Sequence, residues 1–268
     1  MNIHPIKSFD ARKNGFILRH YTWSKYAKDF KKYKDIHKGE TCFVIGNGPS
    51  LKPEDLSILY KRNIPCFAAN RIFKIFDLTD WRPTYYVCTD YLLIRDFLDE
   101  ANNIPAKRKF TSLHNHFNLG ITLDNCTYFN YLYPSKMKNG LEFHKDCTKA
   151  LYWAGTVTNC MIQLAFYMGF KDIYLIGVDH NFDRYVDENG NEVIDTTVKN
   201  YFCEKYDDDI IDEVYRDLGK STIGYRKISK FAKDNGINVY NATRGGKLEE
   251  FDRISFEEAL KNIESKFS

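Results

Sequence analysis

The chain has no run approaching the roughly 18 consecutive apolar residues that a transmembrane helix needs. Its opening, MNIHPIKSFDARKNGF, lacks the apolar stretch of a secretory signal, so the expected location is the cytoplasm. Seven cysteines are scattered at 42, 66, 88, 126, 147, 160 and 203 with no C-x-x-C pair. Neither a disulfide framework nor a zinc site is expected from that spacing. Several of these thiols lie in strand-like apolar runs, where they act as small hydrophobes. Repeats and low-complexity linkers are missing too. At 268 residues and 31.5 kDa the chain can bury the core of one large domain, with or without additions.

Charge is present but uneven. Residues 1–40 hold ten Lys/Arg against four Asp/Glu, which leaves the remainder acidic although the whole chain is at +3. Within 21–38, Trp23, Tyr26, Phe30 and Tyr33 are spaced as one helical face among lysines. This predicts a basic helical arm over 1–39. Either its aromatic stripe packs on the following domain and the lysines are solvated, or the arm rests on anionic lipid. No nucleic-acid-binding motif accompanies the charge, and no nucleic-acid partner is expected.

From residue 40 strands and helices alternate. Strands are expected at 41–46, 64–69, 84–89, 108–113, 127–131, 172–177 and 237–241, and helices at 53–62, 92–100, 156–169 and 222–235. The alternation predicts an α/β fold: one Rossmann-like domain over 40–268, with a mostly parallel sheet covered on both faces. Residues 183–221 hold no convincing strand and are strongly acidic over 187–217, so they read as a lid insertion.

Ligands of such sheets sit at the carboxyl ends of the strands. Here those ends carry Gly46-Asn47-Gly48-Pro49-Ser50, then Asn70, then Thr89-Asp90, then Asp179-His180, and last Asn241-Ala242-Thr243. The first turn is glycine-rich, yet it lacks the third glycine of a dinucleotide fingerprint and has a proline where a helix would begin. Asn47 and Asn70 can meet a base or ribose without adding charge. Singly, each of these residues is ordinary turn chemistry; five polar strand ends in one chain suggest a common crevice.

The stretches IGNGPSL, FAANRIF, GFKDIYLIGVDHNF and INVYNATRGGKLEEF resemble a bacterial superfamily. It joins lipooligosaccharide sialyltransferases, the central domain of Maf-type flagellin glycosyltransferases and hydroxymethylpterin-pyrophosphokinase-like proteins. The likeness spans about residues 40–252. It implies a Rossmann-like glycosyltransferase taking a nucleotide-activated sugar, CMP-linked in the sialyltransferases, to a glycan or lipid-linked glycan acceptor. It also implies donor contacts at Asn47, Ser50, Asn70 and Thr156, to which the strand-end reading adds Gly46, Gly48, Pro49, Thr89 and Asp90.

The chain departs from the sialyltransferase pattern in its lid. No histidine occurs in 181–268, and Tyr201 stands where relatives have the lid histidine. His180, beside Asp179, is then the expected general base, with a pKa suited to proton abstraction near neutral pH. His114 and His116 are the reserve pair, Asp179 or Asp90 is the carboxylate alternative, and the competing reading of His180 is a loop histidine fixed by a backbone carbonyl. Tyr185, Tyr201 and Tyr206 are candidates to steady the leaving phosphate. A CMP-sugar carries one phosphate, so no cofactor is required and no metal ligands are assigned. A diphosphate donor or ATP would call for Mg2+, with Asp90, Asp179 or the acidic run 206–213 as its carboxylates. Two alternatives stay open: an ATP-dependent pyrophosphokinase, and a nucleotide-sugar-binding protein without catalysis.

Overall fold

The computed structural model describes residues 15–132, 146–206 and 216–266. The first strands are β1 (Thr41–Ile45), β2 (Cys66–Ala69), β3 (Tyr85–Cys88), β4 (Arg108–Ser112) and β5 (Cys126–Phe129). Two short strands, β6 (Tyr131–Leu132) and β7 (Leu151–Tyr152), pair with each other. Then β8 (Asp172–Ile176) returns to the far side of β1. The lid contributes β9 (Arg184–Val186), β10 (Glu192–Ile194) and β11 (Arg216–Asp217), and the sheet ends with β12 (Asn238–Asn241) and β13 (Asp252–Arg253). The eight-stranded sheet runs β13-β12-β8-β1-β2-β3-β4-β5, and every neighbouring pair is parallel.

The sheet is Rossmann-like and covered on both faces, which is why its strands are apolar on both sides. Alternate residues of one strand enter different cores. Cys42, Val44, Phe67, Tyr85 and Val87 face one layer, and Phe43, Ile45, Cys66, Tyr86 and Cys88 the other. Helices α1 (Lys25–Lys31), α6 (Val157–Tyr167) and α7 (Leu218–Asp234) cover the first face with Phe30, Met161, Leu164 and Ile228. On the second face lie α2 (Pro53–Lys61), α4 (Leu98–Asn103) and α8 (Phe256–Glu264), together with a 3-10 stretch over Asn70–Leu78. Two shorter helices, α3 (Tyr91–Asp96) and α5 (Leu113–Leu119), follow β3 and β4.

Three expectations need correcting. First, the basic segment is not one helix over 21–38. Ser24 is extended and its hydroxyl accepts from Ala27 N at 3.2 Å, so α1 starts at Lys25 and Trp23 lies outside it in a 3-10 turn. Tyr26, Phe30 and Tyr33 turn inward: Phe30 stacks on Tyr167 with centroids 4.8 Å apart, and Tyr33 meets Phe110 edge-on. Trp23 stays out in solvent. Second, the lid does contain strands. β9, β10 and β11 form a small sheet of two- and three-residue pieces, too short and polar to show an alternating pattern. Third, helix 92–100 is broken into α3 and α4 at Phe97, which has non-helical backbone. Residues 207–213 of the acidic run lie outside the described residues.

Candidate active site

The chain passes from β1 outward to β5 and then crosses back to β8, so the topological switch point lies between β1 and β8. There the two turns interlock. Gly46 N donates to Ile176 O (2.8 Å) and Gly48 N to Gly177 O (2.9 Å). A Cβ on Gly46 would fall inside the Gly177 carbonyl, and one on Gly177 would lie 2.6 Å from Gly46 O. Only two glycines allow backbones this close. The consequence for binding is direct. These N–H groups serve the β8 turn, so the Gly46–Ser50 turn is not a phosphate cradle of free backbone donors. Pro49 is exposed at its tip.

Asp179 sits under the same turn. Its Oδ2 accepts the Ser50 hydroxyl at 2.8 Å and fills the space that a Cβ on Gly48 would need. Its backbone carbonyl accepts from Lys247 N at 2.7 Å. Burial raises the carboxyl's pKa above the ordinary value, and the Ser50 hydrogen bonds only partly oppose this.

His180 differs from expectation. It is buried, with a left-handed backbone (φ 52°), and its Nε2 lies 2.7 Å from Thr222 Oγ1. The Thr222 hydroxyl donates to Leu218 O at 2.8 Å, so it must accept from His180. The proton is therefore on Nε2. Burial lowers the imidazole pKa to about 4, with Glu188 opposing. The ring stands edge-on to Tyr225, 5.3 Å away, and the Tyr225 hydroxyl bonds to Thr156 and Thr158 at the start of α6. His180 thus belongs to a neutral buried network, not to a base poised near pH 7. Thr156 is the N-cap of α6, accepting from Thr158 N at 3.3 Å.

On the other side of β1 the turn faces β2 and the lid. Asn47 Nδ2 donates to Ala69 O (3.0 Å) and to the Tyr206 hydroxyl (2.8 Å). A carbonyl can only accept, so Ala69 O fixes which way the amide points. Asn47 Oδ1 is then buried with no hydrogen-bond partner. Asn70 adopts φ 52° and its carbonyl accepts the Tyr86 hydroxyl at 2.9 Å. Tyr206 also accepts from Arg71 N, while the Arg71 guanidinium donates to Tyr206 O at 2.8 Å. Tyr201 stacks on Tyr206 with centroids 3.8 Å apart and planes 11° apart, and Phe202 N donates to Asn47 O. The lid is thereby tied to the crevice by its aromatic residues.

The remaining candidates are more distant. Thr89 and Asp90 follow β3, two strands from β1. Thr89 O accepts from Asn115, and Asp90 Oδ1 caps α3 through Leu93 N at 3.2 Å. His116 packs against Tyr128, with its Nδ1 at 3.0 Å from Ile121 O. Among the described residues, no group of three or more His, Cys, Asp or Glu is placed to hold a metal ion. The structure adds Arg71, Thr222 and Tyr225 to the site. Thr222 and Tyr225 are three apart on one helix, a spacing visible in the sequence, but nothing there shows which strand end that face meets.

A family model described as 6-hydroxymethylpterin diphosphokinase MptE-like matches residues 16–184. The chain belongs to the MptE-like family. No curated protein matches it. Among solved structures this MptE-like chain is similar to the Maf glycosyltransferase from Magnetospirillum magneticum AMB-1, with 17% identity and a TM-score of 0.49. That likeness covers 87% of this chain and 38% of the other, so the chain spans well under half of that protein's length. No described helix is long and apolar enough to cross a membrane.

Proposed function

We propose that this MptE-like protein is a glycosyltransferase using a nucleotide-activated sugar, seated against Asn47 and Asn70 at the ends of β1 and β2. The observation that carries this reading is Asn47 Oδ1, a buried acceptor without a partner at the switch-point crevice. Leaving such a group unpaired costs about 1–3 kcal/mol, which a ligand hydroxyl or amine would recover. A ribose hydroxyl or the amine of cytosine has that chemistry, and the motif resemblance makes a CMP-linked donor the first candidate. The acceptor would be a glycan or a lipid-linked glycan.

Of the groups at the strand ends, Asp179 suits the base role better than His180. Its carboxyl is more basic than usual, whereas the imidazole is much less so. The acceptor oxygen would form its bond to the anomeric carbon as the bond from that carbon to the phosphate oxygen breaks. The acceptor proton would pass to the Asp179 carboxylate, and the nucleoside monophosphate would leave. Such a donor needs no metal.

The family description favours a second reading, transfer of a diphosphate from ATP to a hydroxymethylpterin, which would require Mg2+. Thermal shifts with CMP, UDP, GDP and ATP, each with and without Mg2+, separate the two. At a concentration about 100 times Kd a ligand stabilises by roughly 2.7 kcal/mol. We expect CMP to raise the melting point without Mg2+, and Asn47→Ala to weaken its binding by about 1–3 kcal/mol with little loss of fold. A shift by ATP alone, dependent on Mg2+, would transfer the site to the diphosphokinase reading. Wild-type affinity in Asn47→Ala would sink the assignment of the site.

A further inference from the structure

The inward turn of Tyr26, Phe30 and Tyr33 leaves a different set of rings outside. Phe16 is 60% exposed and Trp23 80%, the two most exposed aromatic side chains among the described residues. They are joined through His20, which is also exposed. Its ring lies 4.4 Å from Phe16 and 5.9 Å from Trp23, nearly parallel to the latter. Three aromatic rings in one row, uncovered by the fold, are more than the scattered exposure that any surface shows.

The segment that carries this row is cationic. Arg19, Lys25, Lys28, Lys31, Lys32, Lys34 and Lys38 are all exposed on the same segment. Its acids are partly committed elsewhere: Asp29 accepts from Arg108 and from the Thr127 hydroxyl, and Glu40 lies 2.8 Å from His37 Nδ1. Burial works against the Asp29 carboxylate, but the Thr127, Lys32 and Arg108 contacts outweigh it and hold the pKa below its usual value. Asp29 thus stays ionised while facing the sheet edge. In sequence, residues 1–14 add Lys7, Arg12 and Lys13 against Asp10 alone.

We propose that the Phe16–His20–Trp23 row and its flanking cations dock on an anionic lipid surface. The segment is firmly fixed to the sheet by Phe30 and by the Asp29–Arg108 pair, so it offers the rings on a preformed support. Amphipathic rings such as Trp favour the headgroup region of a bilayer, and each cation near an anionic leaflet adds an attraction that salt screens. Neither contribution anchors alone, but together they give reversible attachment. The inference is independent of what the crevice binds.

The test uses the full chain with vesicles of phosphatidylcholine, alone or mixed with phosphatidylglycerol. We expect sedimentation with the mixed vesicles only, and release as salt screens the charge. Phe16→Ala/Trp23→Ala and, separately, Lys28→Glu/Lys31→Glu should each weaken binding roughly tenfold or more. Brominated lipid should quench tryptophan emission in the wild type, and Trp23→Phe should remove that quenching, a readout that does not depend on the double variants. Three outcomes overturn the proposal: no sedimentation with the mixed vesicles, equal binding by the Phe16/Trp23 variant, or no quenching by brominated lipid. Concentration-dependent dimers that Trp23→Ala makes monomeric would also overturn it, since the row would then face a second copy of the chain.

Discussion

On its β8 side the β1 turn has its polar groups committed: Gly46 N, Gly48 N and the Ser50 hydroxyl all go to Ile176, Gly177 and Asp179. On its β2 side the same turn presents Asn47, whose side-chain nitrogen donates to the lid's Tyr206 and whose side-chain oxygen is buried and unpaired. One side is a locked scaffold, and the other carries an unpaired acceptor. The two sides are built from neighbouring residues, Asn47 lying between Gly46 and Gly48, so the distinction arises from which strand each residue faces. A glycine-rich turn is therefore not a phosphate site by composition alone. It depends on whether its N–H groups are already spent.

The sharpest way to break this contrast is Gly46→Ala. The new Cβ would overlap the Gly177 carbonyl, so the interlock should fail at a cost above about 3 kcal/mol. Chemical denaturation measures it, and a wild-type midpoint would show that the β8 side is not a rigid scaffold.

Asp179→Asn keeps an oxygen that can accept from Ser50 and should leave the fold and the nucleotide-induced shift intact. Turnover should nevertheless fall about 10²- to 10⁴-fold if Asp179 takes the acceptor proton. Full activity would make Asp179 part of the scaffold only.

His180 gives a pH-dependent signature. Its folded pKa of about 4 lies below the ordinary 6.5, so above pH 6.5 it is neutral whether folded or unfolded and contributes no slope. As pH falls from 6.5 toward 4, only the unfolded state takes up the proton, and stability should drop by on the order of 3 kcal/mol. His180→Asn, which tolerates the left-handed backbone, should lose this part of the slope. Urea midpoints for both proteins at neutral and acid pH give the difference, and parallel pH profiles would return His180 to a titrating role near neutrality.

The smallest effect belongs to the lid. Tyr206→Phe removes the hydroxyl that accepts from Asn47 and Arg71 N, and should cost about 0.5–1.5 kcal/mol in stability. No change in the denaturation midpoint would mean that the tyrosine merely rests on the crevice.

Much of this fold was legible in the sequence because its signals are local. The apolar runs at 41–46 and 172–177 can only be buried strands, and Pro53 with Glu54 and Asp55 marks the start of α2. The strand-end residues Asn47, Asn70 and Asp179 could be named for the same reason: polar turns after apolar strands point to the ligand edge of a parallel sheet. The strands of the lid could not be read, since residues such as those of Glu192–Ile194 have no core of their own to alternate against.

Burial periodicity and turn chemistry act over a few residues, so they already encode the strand–helix alternation, the parallel doubly covered sheet and the polar strand ends. Tertiary structure alone decided what the named side chains do there. His180 lost its basicity to burial among Thr222 and Tyr225, Gly48 lost its free N–H to Gly177, and Trp23 was turned outward by the cap at Ser24. Those outcomes depend on desolvation and on partners brought together from far along the chain, 129 residues apart for Ser50 and Asp179 and 159 for Asn47 and Tyr206. No local pattern encodes such distances, so only the folded sheet could settle them.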